Sequence, residues 1–183
     1  MGLDSVFDMT DFNIPICNSN KSDGNVPDSV IEFDNILAKA DVLVFGISEA
    51  TAHYSAGFKN AMDWLVVKSK FNSRLGTDYT ITKKPIFVIT FTPTKKNKTN
   101  NGARHFEMTR HLLEKLGANV IDMQVVHDAW RTVVPGATEI VKEPCEQIKN
   151  FLKTYTPVPS PVLQNVDSSG WLDLYNEWNA KWQ

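Results

Sequence analysis

The residue types with most scope for chemistry fall in two short stretches. His53 lies in residues 41–66, DVLVFGISEATAHYSAGFKNAMDWLV; an imidazole titrates near neutral pH and could deliver a proton at a bound ligand. An ordinary exposed or capping histidine is the other reading of the same residue. Lys95, Lys96 and Lys98 form the one local cluster of positive charge and could meet a phosphate, although a solvated loop has the same composition. His105, His111 and His127 are not spaced with carboxylates or cysteines as a metal site requires, so no metal is expected. No catalytic triad or acid–base carboxylate pair is found.

These residues need elements to hold them. Asp41 to Gly46 reads as a buried-type strand, Ile47 to Tyr54 as a short polar loop, and Ser55 to about Val67 as a helix. That order places the loop at the carboxyl end of a strand and the amino end of a helix, where an open α/β sheet binds its ligands. Phe58, Ala61, Met62, Leu65 and Val66 give the helix one apolar stripe, and Lys59 and Asp63 lie four apart on another face.

The rest of the chain repeats this logic. Residues 3–16 begin as an irregular, strand-like segment that ends at Pro15, and a polar connection follows from Asn18 to Asn25. Pro27 and Asp28 open a helix whose apolar face is Val30, Phe33 and Leu37. Pro85 to Phe91, PIFVITF, is a continuous apolar strand of the kind covered on both faces. The loop Thr92 to Gly102 leads to a helix from about Ala103 to Leu116, with Met108, Leu112, Leu113 and Leu116 as its apolar face and Gly117 as its stop. Ala118 to Val126 is a further strand, and a last helix begins near Pro144 with Cys145, Ile148 and Leu152 on one side. Alternating strands and helices indicate a parallel, doubly wound α/β sheet.

Composition narrows the partners. A hydrophobic content of 42%, a charged content of 22% and a formal charge of -2 over 183 residues describe an ordinary globular chain with no general attraction for nucleic acid or an anionic membrane. A small-molecule partner is expected. Cys17 and Cys145 are far apart, and with no apolar amino-terminal segment the expected setting is the reducing cytoplasm. No run approaches the roughly 18 apolar residues that span a bilayer.

Residues 1–155 are expected to form one domain and 156–183 a separate appendage. Thr156 to Val162 is a stiff, proline-rich linker. Beyond it Trp171, Leu174, Tyr175, Trp178 and Trp182 fall on one helical face. Such an aromatic surface is expected to dock on the body or on a second subunit.

Within this frame, SEATAHYSAGFKNAMDWL resembles the segment P-E-Y-N-x-S-x-x-x-x-L-K-N-A-x-D-W-L of the flavodoxin-like NAD(P)H-dependent FMN reductases, which include quinone, azo-dye and chromate reductases. Glu49, Lys59, Asn60, Ala61, Asp63 and Trp64 match the pattern. KKPIFVITFTPT with NNGARHFEMTRHLLEKLGANVI is similar to the family's second patch, and DMTDFNIPICN to its second strand. The likeness covers about residues 5–155.

The resemblance implies a flavodoxin-like fold and FMN as carrier of hydride from NADPH or NADH to a small acceptor such as a quinone, in a homodimer. It implies cofactor contacts from Ser48, Glu49, Ala50, Thr51, His53 and Tyr54, chiefly through main-chain N–H groups, and from Thr92, Pro93, Thr94, Asn101 and Gly102 on the other side. Thr90 is expected to point into the sheet, and Trp64 to pack the helix or a dimer surface. The family's first strand, its Ser/Arg/Asn-containing phosphate loop and the helix after it have no counterpart in this sequence. The domain therefore reads as truncated at its N-terminus, with the missing unit either lost or encoded upstream. The family's Pro-Glu-Tyr-Asn is Ser48-Glu49-Ala50-Thr51 here, and a family glycine is Thr94. A non-catalytic interaction module built on the same fold is the alternative function.

Overall fold

A computed structural model describes residues 5–18, 26–71, 79–95, 103–129 and 142–156. Four strands and four α-helices lie in these segments: α1 (Asp28–Lys39), β1 (Leu43–Ala50), β2 (His53–Tyr54), α2 (Ala56–Phe71), β3 (Pro85–Phe91), α3 (Ala103–Lys115), β4 (Asn119–Val126) and α4 (Lys142–Thr154). They divide between two compact units, one holding all four strands with α3 and α4, the other holding α1 and α2.

In the first unit the strand order is β2-β1-β3-β4. β1, β3 and β4 are parallel, with Leu43 beside Ile86 and Ser48 beside Phe91, while β2 is antiparallel to the end of β1. β3 is buried along its length except at Phe91, which is why its sequence shows no polar alternation. Thr90 is fully buried, and its hydroxyl donates to the Gln124 carbonyl.

One face of this sheet is covered by α4. Phe87, Ile89, Val126 and Ile148 form a buried cluster, with Val42, Val44, Phe91, Phe151 and Leu152 packed against it. The Phe87 and Phe151 rings meet edge to face at 4.9 Å, and each fully buried side chain of this size contributes about 1.5–3 kcal/mol.

The face of α3 differs from the expected one. His105, Thr109, Leu113 and Leu116 are buried, Leu112 is half-buried, and Met108 is 37% exposed. The buried stripe therefore runs through two polar residues in the first turns, which a search for apolar periodicity passes over. The end of α3 is as expected: Gly117 has φ 74°, its N–H donates to the Glu114 carbonyl at 2.9 Å, and the Ala118 N–H donates to that of Leu113 at 3.1 Å. This pair of bonds, with glycine in the left-handed region, satisfies the last carbonyls of the helix.

Residues 5–18, of which 7–18 belong to the second unit, form no strand, contrary to expectation. Met9–Phe12 is a single 3-10 turn. Asp8 accepts from the Thr10 N–H at 2.8 Å and Asp11 accepts from the Asp8 N–H at 2.9 Å, so local caps satisfy the backbone that a strand would have paired. α1 starts at Asp28 with Pro27 just outside it, and buries Val30, Phe33 and Leu37 as its spacing predicts. Asp34 is buried on the same helix and bonded to Lys68 of α2 and to Thr80.

Two residues of the K-N-A-x-D-W run bind backbone. Asn60 Nδ2 and Trp64 Nε1 both donate to the Pro15 carbonyl, at 2.9 and 2.8 Å, and the Cys17 N–H donates to Asn60 Oδ1 at 2.7 Å. Trp64 is buried with Val26, Val30 and Val67. Lys59 and Asp63 pair across one turn on the surface. Both cysteines are free and half-buried; burial and the Asp63 carboxylate push the Cys17 thiol up, so it stays protonated.

Candidate functional site

The stretch from Ile47 to Tyr54 is a β-hairpin, which corrects its reading as a loop. β1 continues through Ala50, Thr51 and Ala52 make the turn, and His53 and Tyr54 pair back on Ala50 and Glu49. Thr51 and Ala52 have φ of 52° and 58°. Two-residue hairpins need positive φ at both turn positions to match strand twist, and residues with a Cβ are strained there. Pairing on both sides of the turn compels a conformation that Thr-Ala would not choose alone. The Thr51 hydroxyl donates to the Ala50 carbonyl at 2.7 Å.

The parallel register brings the ends of β1, β3 and β4 to one edge. Past β3, the Thr92 N–H donates to the Val126 carbonyl at 3.0 Å, and the Ala129 N–H donates to that of Thr92 at 2.9 Å. The Thr92 hydroxyl accepts from the Thr94 N–H at 3.0 Å. The Thr94 carbonyl accepts from the Asp128 N–H at 3.3 Å and lies 3.2 Å from His127 Nδ1. Thr92, fully buried, thus shapes the turn, while Pro93 is exposed and Thr94 half-buried.

The described ones among the expected contact residues therefore fall in two groups at the carboxyl edge of one sheet. Ser48, Ala50 and Thr51 are exposed on the hairpin, and Glu49, His53 and Tyr54 are half-buried. The His53 and Tyr54 rings meet edge to face at 4.0 Å. Asn101, Gly102, Lys96, Lys98 and the tryptophan-rich tail lie outside the described residues, and Lys95 is exposed.

Two residues that sequence reasoning missed belong to this edge. Asp128, with φ 52°, has Oδ1 buried with no hydrogen-bond partner among the described residues. His105 of α3 is fully buried, and burial holds it below the usual imidazole range despite the opposing influence of Glu49. A charged residue just past a strand end was the available signal for Asp128. Nothing in the sequence pattern marked His105.

These features fit a flat heterocycle with a polar rim, as FMN has. Small side chains at Ala50, Thr51 and Ala52 leave the hairpin backbone approachable, and the unpaired Asp128 oxygen can accept from a ligand hydroxyl or N–H. Among the described residues no group of three or more His, Cys, Asp or Glu side chains could hold a metal ion. No helix among them is long and apolar enough to cross a membrane.

Comparison with known proteins identifies the family and the fold. The sequence profile of the NADPH-dependent FMN reductases matches residues 4–132. Among solved structures, the azoreductase AzrA superposes with a TM-score of 0.54 at 14% identity, covering 81% of this chain and 81% of its own. An azoreductase from Bacillus anthracis str. Sterne gives a TM-score of 0.54 at 14% identity over 81% of this chain and 80% of its own. At that identity the likeness is one of fold, the flavodoxin-like α/β fold. No curated protein matches the chain significantly.

Proposed function

Because the chain belongs to the NADPH-dependent FMN reductase family, we propose that it binds FMN at the carboxyl edge of its sheet and passes electrons from NADPH or NADH to a small acceptor such as a quinone. The observation that supports this reading is that the β1–β2 hairpin and the Thr92 to Thr94 turn leave the sheet at the same edge, inside the matched region. Bound FMN supplies the hydride chemistry.

The residues of this chain bind and orient. Within Ser48 to Tyr54, main-chain groups at the Thr51–Ala52 turn would hold the pyrimidine rim of the ring, and Pro93 and Thr94, with Asn101 and Gly102, would close the opposite side. His53 stands at the hairpin's return, where it can give a proton to a reduced acceptor. Lys95, Lys96 and Lys98 meet the nicotinamide cofactor's phosphate. A cytoplasmic homodimer, in which the second subunit helps close the site, completes the proposal.

Colour is the test. The purified protein is expected to be yellow or to quench the fluorescence of added FMN, and then to oxidise NADPH or NADH when a quinone is present. Failure to bind at millimolar FMN rejects the reading and leaves an interaction module on the same fold.

A further inference from the structure

Beneath the hairpin lie polar atoms that the proposed cofactor contacts do not use. His105 is fully buried; its ring lies against the backbone of Ile47 and His53, and neither nitrogen makes a well-formed hydrogen bond with a described residue. Thr109 lies one turn along the same face of α3, equally buried, with Oγ1 unpaired. Glu49 is a third such residue, on β1, through Oε2. α3 touches β2, so these groups underlie the strained turn at Thr51 and Ala52. Buried polar groups are nearly always paired, and their concentration under strained backbone marks a place where packing has been set by something other than stability.

We propose that His105 is the positioning residue of the β1–β2 hairpin: uncharged, it lets the hairpin seat on α3 beside Glu49 and Thr109, and on gaining a proton it unseats it. The proposal rests on the reading of this hairpin as the FMN loop only for its functional consequence.

The charged groups facing the ring decide the direction of the effect. Glu49 on β1 favours the imidazolium, as do the backbone groups of Ile47 and His53, while the His53 side chain on β2 opposes it; burial outweighs them all. On α3 itself Arg104 and Glu107 are exposed, and Asp122 on β4 is bonded to Gln124. Seating the hairpin therefore lowers the proton affinity of His105, and by linkage a proton weakens the seating. The effect begins as pH falls below the ordinary imidazole value of about 6.5 and is limited to about tenfold in the seating equilibrium per pH unit. Since the hairpin carries Ser48 to Tyr54, FMN affinity declines in mild acid.

The test follows the amide signals of Thr51 and Ala52 by NMR in ligand-free protein, from mildly alkaline to mildly acidic solution. In the native protein they shift with a midpoint below about 6.5. His105→Gln abolishes the shift, Glu49→Gln moves the midpoint to lower pH, and His53→Gln keeps the transition. An identical titration in His105→Gln, or its loss in His53→Gln, overturns the proposal. Should His105→Gln fail to fold, Glu49→Gln decides alone, and an unmoved midpoint overturns it. FMN affinity, measured by fluorescence on the same proteins, then declines in acid for the native chain and not for His105→Gln. An amide titration as expected, with no FMN bound at any pH, upholds the role of His105 and rejects the flavin reading instead.

Discussion

Replacing Thr51-Ala52 by Asn-Gly is expected to stabilise the protein, although it removes two methyl groups and one hydrogen bond. Both residues sit at positive φ, 52° and 58°, where an L-residue with a Cβ costs roughly 1–2 kcal/mol. Together they store about 2–4 kcal/mol, most of which Asn and Gly release because both populate the left-handed region readily. Against this stand about 0.5–1 kcal/mol for the extra freedom of glycine in the unfolded chain and about 0.4 kcal/mol for a half-buried methyl. The exposed Thr51 hydroxyl bond to Ala50 adds about 0.5 kcal/mol to the losses. The net gain is about 1 kcal/mol, which for a chain of this length raises Tm by about 2–4 °C. Urea unfolding reads the same quantity as a higher midpoint at constant slope. An unchanged or lower midpoint would refute the reasoning, because it would mean that the turn is not strained in the native state.

Further outcomes follow from other contacts. Lys68→Met leaves the buried Asp34 carboxylate, whose side chain is 5% exposed, without its cation and is expected to cost about 3–5 kcal/mol in urea unfolding; adding Asp34→Asn recovers part of it. Trp64→Phe removes the indole bond to the Pro15 carbonyl and should cost about 1 kcal/mol in the same assay, since Asn60 still donates to that oxygen. Because His105 binds a proton less readily folded than unfolded, its contribution to stability is complete above about pH 6.5 and is lost as pH falls from there toward the folded value, by up to about 1.4 kcal/mol per unit. Thermal unfolding across that range should show a steeper acid loss in the native protein than in His105→Gln. Neutralising Lys95, Lys96 and Lys98 together is expected to raise KM for NADPH and leave FMN content unchanged; unaltered steady-state kinetics would remove them from the site.

Legibility in the sequence followed the physics of each element. β3 was readable from PIFVITF because a central parallel strand is apolar on both faces, and its bounds match Pro85–Phe91. α1 was readable from Val30, Phe33 and Leu37, all buried. The hairpin was not, since its second strand has two residues and its turn lacks the Asn-Gly or Asp-Gly signal that such a turn normally shows. The 3-10 turn at Met9–Phe12 had a signal in the spacing of Asp8 and Asp11, hidden beneath a strand-like likeness. His105 and Thr109 were passed over because they are polar on a face identified by apolar residues; their burial depends on what α3 meets in space.

The two bonds from Asn60 and Trp64 to the Pro15 carbonyl separate ancestry from activity. These two residues of the signature by which the chain is recognised fasten one stretch of backbone to a helix. A descendant that had abandoned redox chemistry would still need that fastening to fold, so their presence would persist in it unchanged. The signature is best treated as a certificate of architecture. Whether a relative still works as a reductase is a question for its hairpin, where Thr51 and Ala52 can change while the fastening at Pro15 stays as it is.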